Sequence, residues 1–126
     1  MSLRTPLAKV RGHGSAGQGA HHWWMQRITA IMLIPLFVWF VGALVIAVTG
    51  SHAEATALIR SPVAAGALLM LIAAIFYHAA LGLQIVIEDY VSTEGTQVIA
   101  IVIARFIMGL LAAISIVSVF KVAVGG

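Results

Sequence analysis

Hydrophobic residues fall in three long runs separated by short polar breaks: 28–48, 62–87, and a third lying between 97 and 124. A helix rises about 1.5 Å per residue, so a membrane core of about 30 Å needs about 20 apolar residues, and each run supplies them. The runs are unbroken, whereas a transmembrane barrel would show short segments of alternating polarity. The pattern predicts an all-α membrane protein with three transmembrane helices. A third span beginning at Gln97 would put Arg105 roughly 12 Å deep, which is costly for an unpaired charge. Residues 106–124 are enough to cross alone, so the span is placed at about 104–124. Arg105 then lies at the interface, solvated by headgroups or paired with Glu94 or Asp89, and Lys121 snorkels at the far end.

The breaks define the rest. Thr49-Gly50-Ser51-His52-Ala53-Glu54 interrupts the first run and forms a loop, after which a short helix is expected through 53–59. Ser61-Pro62 opens the second span as cap and first-turn proline. Ser92-Thr93-Glu94-Gly95 turns the chain into the third. Pro35 removes a backbone donor inside the first span and is expected to bend it. Residues 12–17 spell a formal GxGxxG, but no strand precedes it, so it reads as linker rather than a nucleotide loop. The first 20 residues hold no apolar core of a cleavable leader. One anchor domain, 1–126, is expected, with a cytoplasmic or interfacial arm at 1–27 and spans at 28–48, 62–87 and about 104–124.

Composition agrees with this: 62% of the 126 residues are hydrophobic and 9% charged, with a mean hydropathy of +1.10. These values lie outside the range of soluble domains and mark an integral membrane protein. The placement of the +3 charge adds orientation. Arg4, Lys9, Arg11 and Arg27 precede or open the first span, while the following loop carries Arg60 alone. By the positive-inside rule the N-terminus is cytoplasmic and the C-terminus lies outside. A multi-pass protein of a bacterial inner membrane, in contact with lipid and not nucleic acid, is the simplest reading. With no cysteine, the chain forms no disulfide and holds no Fe–S cluster.

The second span carries the chemistry. Between 61 and 87 there is no Asp, Glu, Lys or Arg, so His78 is the one titratable group there besides Tyr77. A helix brings positions eleven apart back to one stripe, which aligns His78 with Asp89, roughly 16 Å further along. Ala67, Ala74 and Gly82 sit on or beside that stripe and leave room for a flat, bulky group. The stripe faces nothing obvious in this chain, so helices of a partner subunit are expected to complete the bundle. His78 admits three readings: packing specificity, a proton relay, or ligation of a haem between helices. A haem with two protein ligands would need its second from a partner chain, since His13, His21, His22 and His52 lie at other depths. Asp89 and Tyr90 read either as an ordinary helix end with a belt tyrosine or as a site for a polar-headed lipidic substrate. In the second case the phenol donates to a carbonyl oxygen, and the carboxylate orients it or helps supply protons. His21-His22-Trp23-Trp24 and Arg27 fit an interfacial aromatic belt, and equally a cationic lining for an anionic ligand.

Two blocks carry a resemblance to a known family. His21-His22-Trp23-Trp24-Met25-Gln26-Arg27-Ile28-Thr29-Ala30 looks like an H-x(5)-R-x-T-A signature, and His78-x(3)-Gly82-x(6)-Asp89-Tyr90-Val91 reproduces its second, more specific pattern. The chain resembles the hydrophobic membrane anchor subunit of succinate dehydrogenase, respiratory complex II. The resemblance implies that His78 is one axial ligand of a haem b shared with the cytochrome b subunit. It implies that Tyr90, supported by Asp89, binds ubiquinone as substrate, and that Arg27 and His21, or His22 in its place, lie toward the haem propionates. The implied partners are the cytochrome b, iron–sulfur and flavoprotein subunits. Succinate oxidation would occur in the soluble subunits, so this chain is not catalytic for it by itself and carries no catalytic residue of that step. Alternatives are a fumarate reductase-type anchor using menaquinone and, from another class, a small transporter or proton-relay subunit.

Overall fold

The computed structural model describes the backbone of residues 16–125 and the side chains of residues 19–125. The basic residues Arg4, Lys9 and Arg11, and most of the glycine-rich 12–17 segment, lie outside these. Four helices follow in order: α1 (Ala16–Thr49), α2 (His52–Arg60), α3 (Pro62–Tyr90) and α4 (Glu94–Val124). Three segments, Gly19–Thr49, Pro62–Tyr90 and Glu94–Val124, are long and apolar enough to cross a membrane. The described residues are all helix and connecting turn, as the hydrophobic pattern predicts.

The helices outrun the apolar runs that nucleate them. Extending an existing helix adds one hydrogen bond per residue fixed, without a new nucleus. The interfacial segment 16–27 therefore continues straight into the first run, and α4 starts well before residue 104. Pro35 sits inside α1 without ending it. The carbonyl four residues earlier, at Ile31, loses its helical partner there.

The ends are capped by specific chemistry. Ser51 and Glu54 form a capping box at the start of α2: Ser51 N–H donates to Glu54 Oε2 at 2.7 Å, and Glu54 N–H donates to Ser51 Oγ at 3.3 Å. These bonds satisfy amides that have no partner within the helix. They also hold the exposed Glu54 carboxyl below its usual 4.5, through the Ser51 backbone amide first and its hydroxyl second. Gly50 makes the preceding turn, where an added Cβ would lie 2.8 Å from both the Ile46 carbonyl oxygen and Glu54 Oε2. Pro62 occupies the first turn of α3. Gly125, in the left-handed region with φ 91°, closes α4 by donating to carbonyls of its last turn.

The array is organised on α3. Helices α1 and α4 each pack along it, α2 touches all three long helices, and among the described residues α1 and α4 do not meet. The buried apolar side chains, Ala64, Leu71, Ala74 and Leu81, all belong to α3. Their spacing places them on one side of that helix, and His78 falls in the same register. The small-residue stripe is therefore partly internal, in contrast to the expectation that it faces outward to a partner. Ala74 is buried within this chain, and an added Cβ at Gly82 would stand 3.7 Å from Gln26 Nε2 on α1. Small side chains let α1 approach the α3 backbone, and this chain supplies the approaching helix itself.

Candidate functional site

Thr29 and His78 form the centre of the α1–α3 contact. Thr29 is the one buried polar side chain among the described residues, 8% exposed. A threonine inside a helix returns its hydroxyl proton to the carbonyl four residues back, and here Thr29 Oγ1 donates to Met25 O at 2.7 Å, with the Gln26 carbonyl at 3.1 Å. A hydroxyl that uses its proton there leaves its oxygen to accept from the ring. His78 Nδ1 lies 2.9 Å from that oxygen, and the tautomer with the proton on Nδ1 matches such an acceptor. In that tautomer Nε2 keeps a free lone pair. It faces the Gln26 side-chain nitrogen at 3.4 Å, a long contact. The Gln26 oxygen is buried and, among the described residues, has no partner.

A metal-ligating imidazole needs this arrangement, with one nitrogen unprotonated and the other donating to a fixed acceptor. The donor set therefore fits a single histidine ligand to haem iron. Among the described residues no three His, Cys, Asp or Glu side chains cluster, so His78 offers one ligand rather than a complete set.

Next to His78, toward the α3 C-terminus, a polar cleft of about 990 Å³ opens between the helices, lined by His21, His22, Gln26, Arg27, Glu88 and Arg105 among others. Trp23 stands edge-on to Trp24 with ring centroids 5.3 Å apart, and the Arg27 guanidinium lies over the Trp23 ring at 5.1 Å. This cation–π contact holds Arg27 at the rim. His22 Nε2 is buried without a partner among the described residues. Cationic and hydrogen-bonding groups thus line one side, where they can receive carboxylates.

Arg105 is tied neither to Glu94 nor to Asp89. It donates to Gln84 Oε1, and the Gln84 amide donates to Glu88 Oε1 at 2.7 Å. Gln97 Nε2 caps the Glu88 carbonyl at 3.1 Å. An uncharged glutamine thus couples a cation on α4 to a carboxylate on α3. Adjoining the polar cleft, and sharing His21, His22 and Arg105 with it, a more apolar cleft of about 540 Å³ runs between Phe76, Tyr77 and Met108.

The structure brings His21 and Arg27 into one cleft and links that cleft to His78 through Gln26. It does not bring Asp89 and Tyr90 there. Both are exposed at the end of α3, Tyr90 by 85%, without hydrogen-bond partners among the described residues. Sequence reasoning missed Gln26, Gln84 and the part played by Thr29. The available signal was that uncharged polar groups in or beside an apolar run seek partners across helices.

Over residues 1–116 the chain matches the family described as Succinate dehydrogenase/Fumarate reductase transmembrane subunit. It is similar to the succinate dehydrogenase hydrophobic membrane anchor subunit of Rickettsia bellii, with 33% identity over 121 residues that cover 94% of each chain. The protein of the same description in Rickettsia conorii is 31% identical over 107 residues, 82% of each chain. The succinate dehydrogenase membrane anchor subunit of Reclinomonas americana is 28% identical over 93 residues, 71% of this chain and 77% of that one. No solved structure matches the chain significantly.

Proposed function

Because the chain belongs to the succinate dehydrogenase/fumarate reductase transmembrane subunit family, we propose that it anchors a succinate:ubiquinone oxidoreductase in a bacterial inner membrane, supplying His78 as one axial ligand of haem b and Tyr90 with Asp89 to the quinone site. The single observation that supports the haem assignment is the placement of His78 Nδ1 2.9 Å from the buried Thr29 hydroxyl oxygen, which suits the tautomer that leaves the Nε2 lone pair for iron. Haem bound there supplies a one-electron centre inside the bilayer. The cytochrome b subunit would supply the second protein ligand to the iron. Arg27 and His21 receive the propionates, and the cleft they line beside Gln26 supports that role. An Arg-carboxylate pair is geometrically well matched.

Tyr90 and Asp89 act at the cytoplasmic edge. The phenol donates to a quinone carbonyl oxygen, and the neighbouring carboxylate orients it and helps deliver protons taken from the cytoplasmic side. Exposure of both groups leaves them free for substrate and for partner subunits. The flavoprotein and iron–sulfur subunits carry out succinate oxidation and electron delivery. The family description also covers fumarate reductase, so a menaquinone-linked anchor is the second reading. A proton relay through His78 is disfavoured because the neighbouring buried positions of α3, Leu71, Ala74 and Leu81, are apolar.

The test is a reduced-minus-oxidised optical spectrum of the gently solubilised native complex, with its subunits identified by mass spectrometry. A b-type haem signal with a co-purifying flavoprotein and iron–sulfur protein is expected. Absence of both would return His78 to a packing role.

A further inference from the structure

Gln26 and Thr29 flank Arg27 on α1, and both reach across to the two ring nitrogens of His78. We infer that Thr29 is the positioning residue of the His78 ligand, fixing its ring orientation and tautomer and holding down the reduction potential of the iron it binds. The inference rests on the reading of His78 as haem ligand.

The geometry is specific. A hydroxyl is both donor and acceptor, and a free Thr29 hydroxyl would bond either ring state. The Met25 carbonyl at 2.7 Å gives the hydroxyl proton an acceptor on its own helix. With the proton there, the oxygen presented to α3 is an acceptor, buried away from competing water. It selects the tautomer with the proton on Nδ1, which leaves Nε2 as the ligating atom. An imidazole whose N–H donates to a fixed oxygen is a stronger electron donor at its other nitrogen. More electron density favours ferric over ferrous iron and lowers the potential. The bond also pins rotation of the ring about its Cβ–Cγ axis, which sets the orientation of the imidazole plane. Gln26, by contrast, makes a long contact with the ligating nitrogen and has an unpartnered oxygen. It is a side chain that can move aside when Nε2 is engaged.

The experiment compares Thr29→Val, which keeps the shape and removes the acceptor, with Thr29→Ser, which keeps the acceptor, in the purified intact complex. The readouts are haem content, the midpoint potential by optical redox titration, and the low-spin ferric resonance spectrum. The expected result is a positive shift of midpoint potential and displaced g-values in Thr29→Val, with both close to wild type in Thr29→Ser. Loss of haem in Thr29→Val with retention in Thr29→Ser supports the same conclusion. Wild-type potential and g-values in Thr29→Val would overturn it. So would equal deviation of the two variants, which would assign the effect to packing. His78→Ala, measured alongside, separates the underlying reading: an unchanged haem spectrum in that variant overturns the ligand assignment itself, whatever the Thr29 variants do.

Discussion

Thr29 Oγ1 and His78 Nδ1 stand 2.9 Å apart, and through this contact the two sequence blocks that carry the family resemblance meet in space. One block opens the first span and the other closes the second. Their junction is the polar centre of an otherwise apolar helix pair.

Replacing His78 with alanine removes the one nitrogen ligand that α3 offers at this depth. The assembled complex is expected to lose most of its b-type haem, as read from the pyridine haemochrome spectrum against protein content. Thr29 is left buried with its accepting side unpartnered, an added destabilisation of about 1–3 kcal/mol.

Tyr90→Phe removes only the phenolic hydroxyl from an exposed ring. Succinate-driven quinone reduction is expected to fall about ten-fold, which corresponds to a transition-state hydrogen bond of about 1.4 kcal/mol. Succinate oxidation with a soluble dye acceptor should persist. Equal loss of both activities would indicate failed assembly. Asp89→Asn is expected to show the same split with a larger effect, on the order of 10²-fold, if the carboxylate moves protons.

Gly50 is required by closeness rather than by dihedral angle. A methyl group there would meet the Ile46 carbonyl and the Glu54 carboxylate at 2.8 Å, and the backbone contact cannot swing away. Gly50→Ala is expected to loosen the turn into α2 by about 1–3 kcal/mol. Faster proteolysis at 49–54 in the solubilised complex, with unchanged haem, is the measurement.

The Glu54 carboxyl titrates below its usual 4.5 because its charged form accepts from the Ser51 amide and hydroxyl. A depressed folded value means that the cap stabilises α2 fully above the unfolded value and loses that contribution as pH falls through the folded one. Protection of the amides at the start of α2, read as exchange corrected for its intrinsic pH dependence, should therefore persist at pH 4.5 and be lost only in more acidic buffer. In Ser51→Ala, which removes the hydroxyl and keeps the backbone amide, the loss should begin at a somewhat higher pH than in the wild type.

The three spans, the short helix between the first two and its Ser-Pro boundary were legible because long apolar runs and cap residues report on local structure. The facing of α3 was not. A helix that is apolar nearly all round gives no periodicity to say which side meets which neighbour, so Ala67, Ala74 and Gly82 suggested an external partner when α1 of the same chain fills part of that space. His78, Asp89 and Tyr90 stood out because ionisable groups are rare in or beside such runs, and Arg27 and His21 because they open one. Arg105 drew attention to acidic partners, yet its acceptor is the neutral Gln84. Thr29 was hidden for a related reason: its hydroxyl can satisfy itself on its own helix, and only its second contact reveals a task.

The separation of α1 from α4 by α3 has a bearing on how much of this protein a cell can keep. The long helices α1 and α4 each pack on α3 and meet otherwise only through the short α2, and among the described residues the buried apolar side chains come from α3. Within lipid, apolar contact with acyl chains replaces apolar contact with a neighbour at little cost. A solitary copy thus has little to resist separation of its helices and exposure of its backbone to membrane proteases. A copy without neighbours is therefore expected to be lost sooner than one held in an assembly.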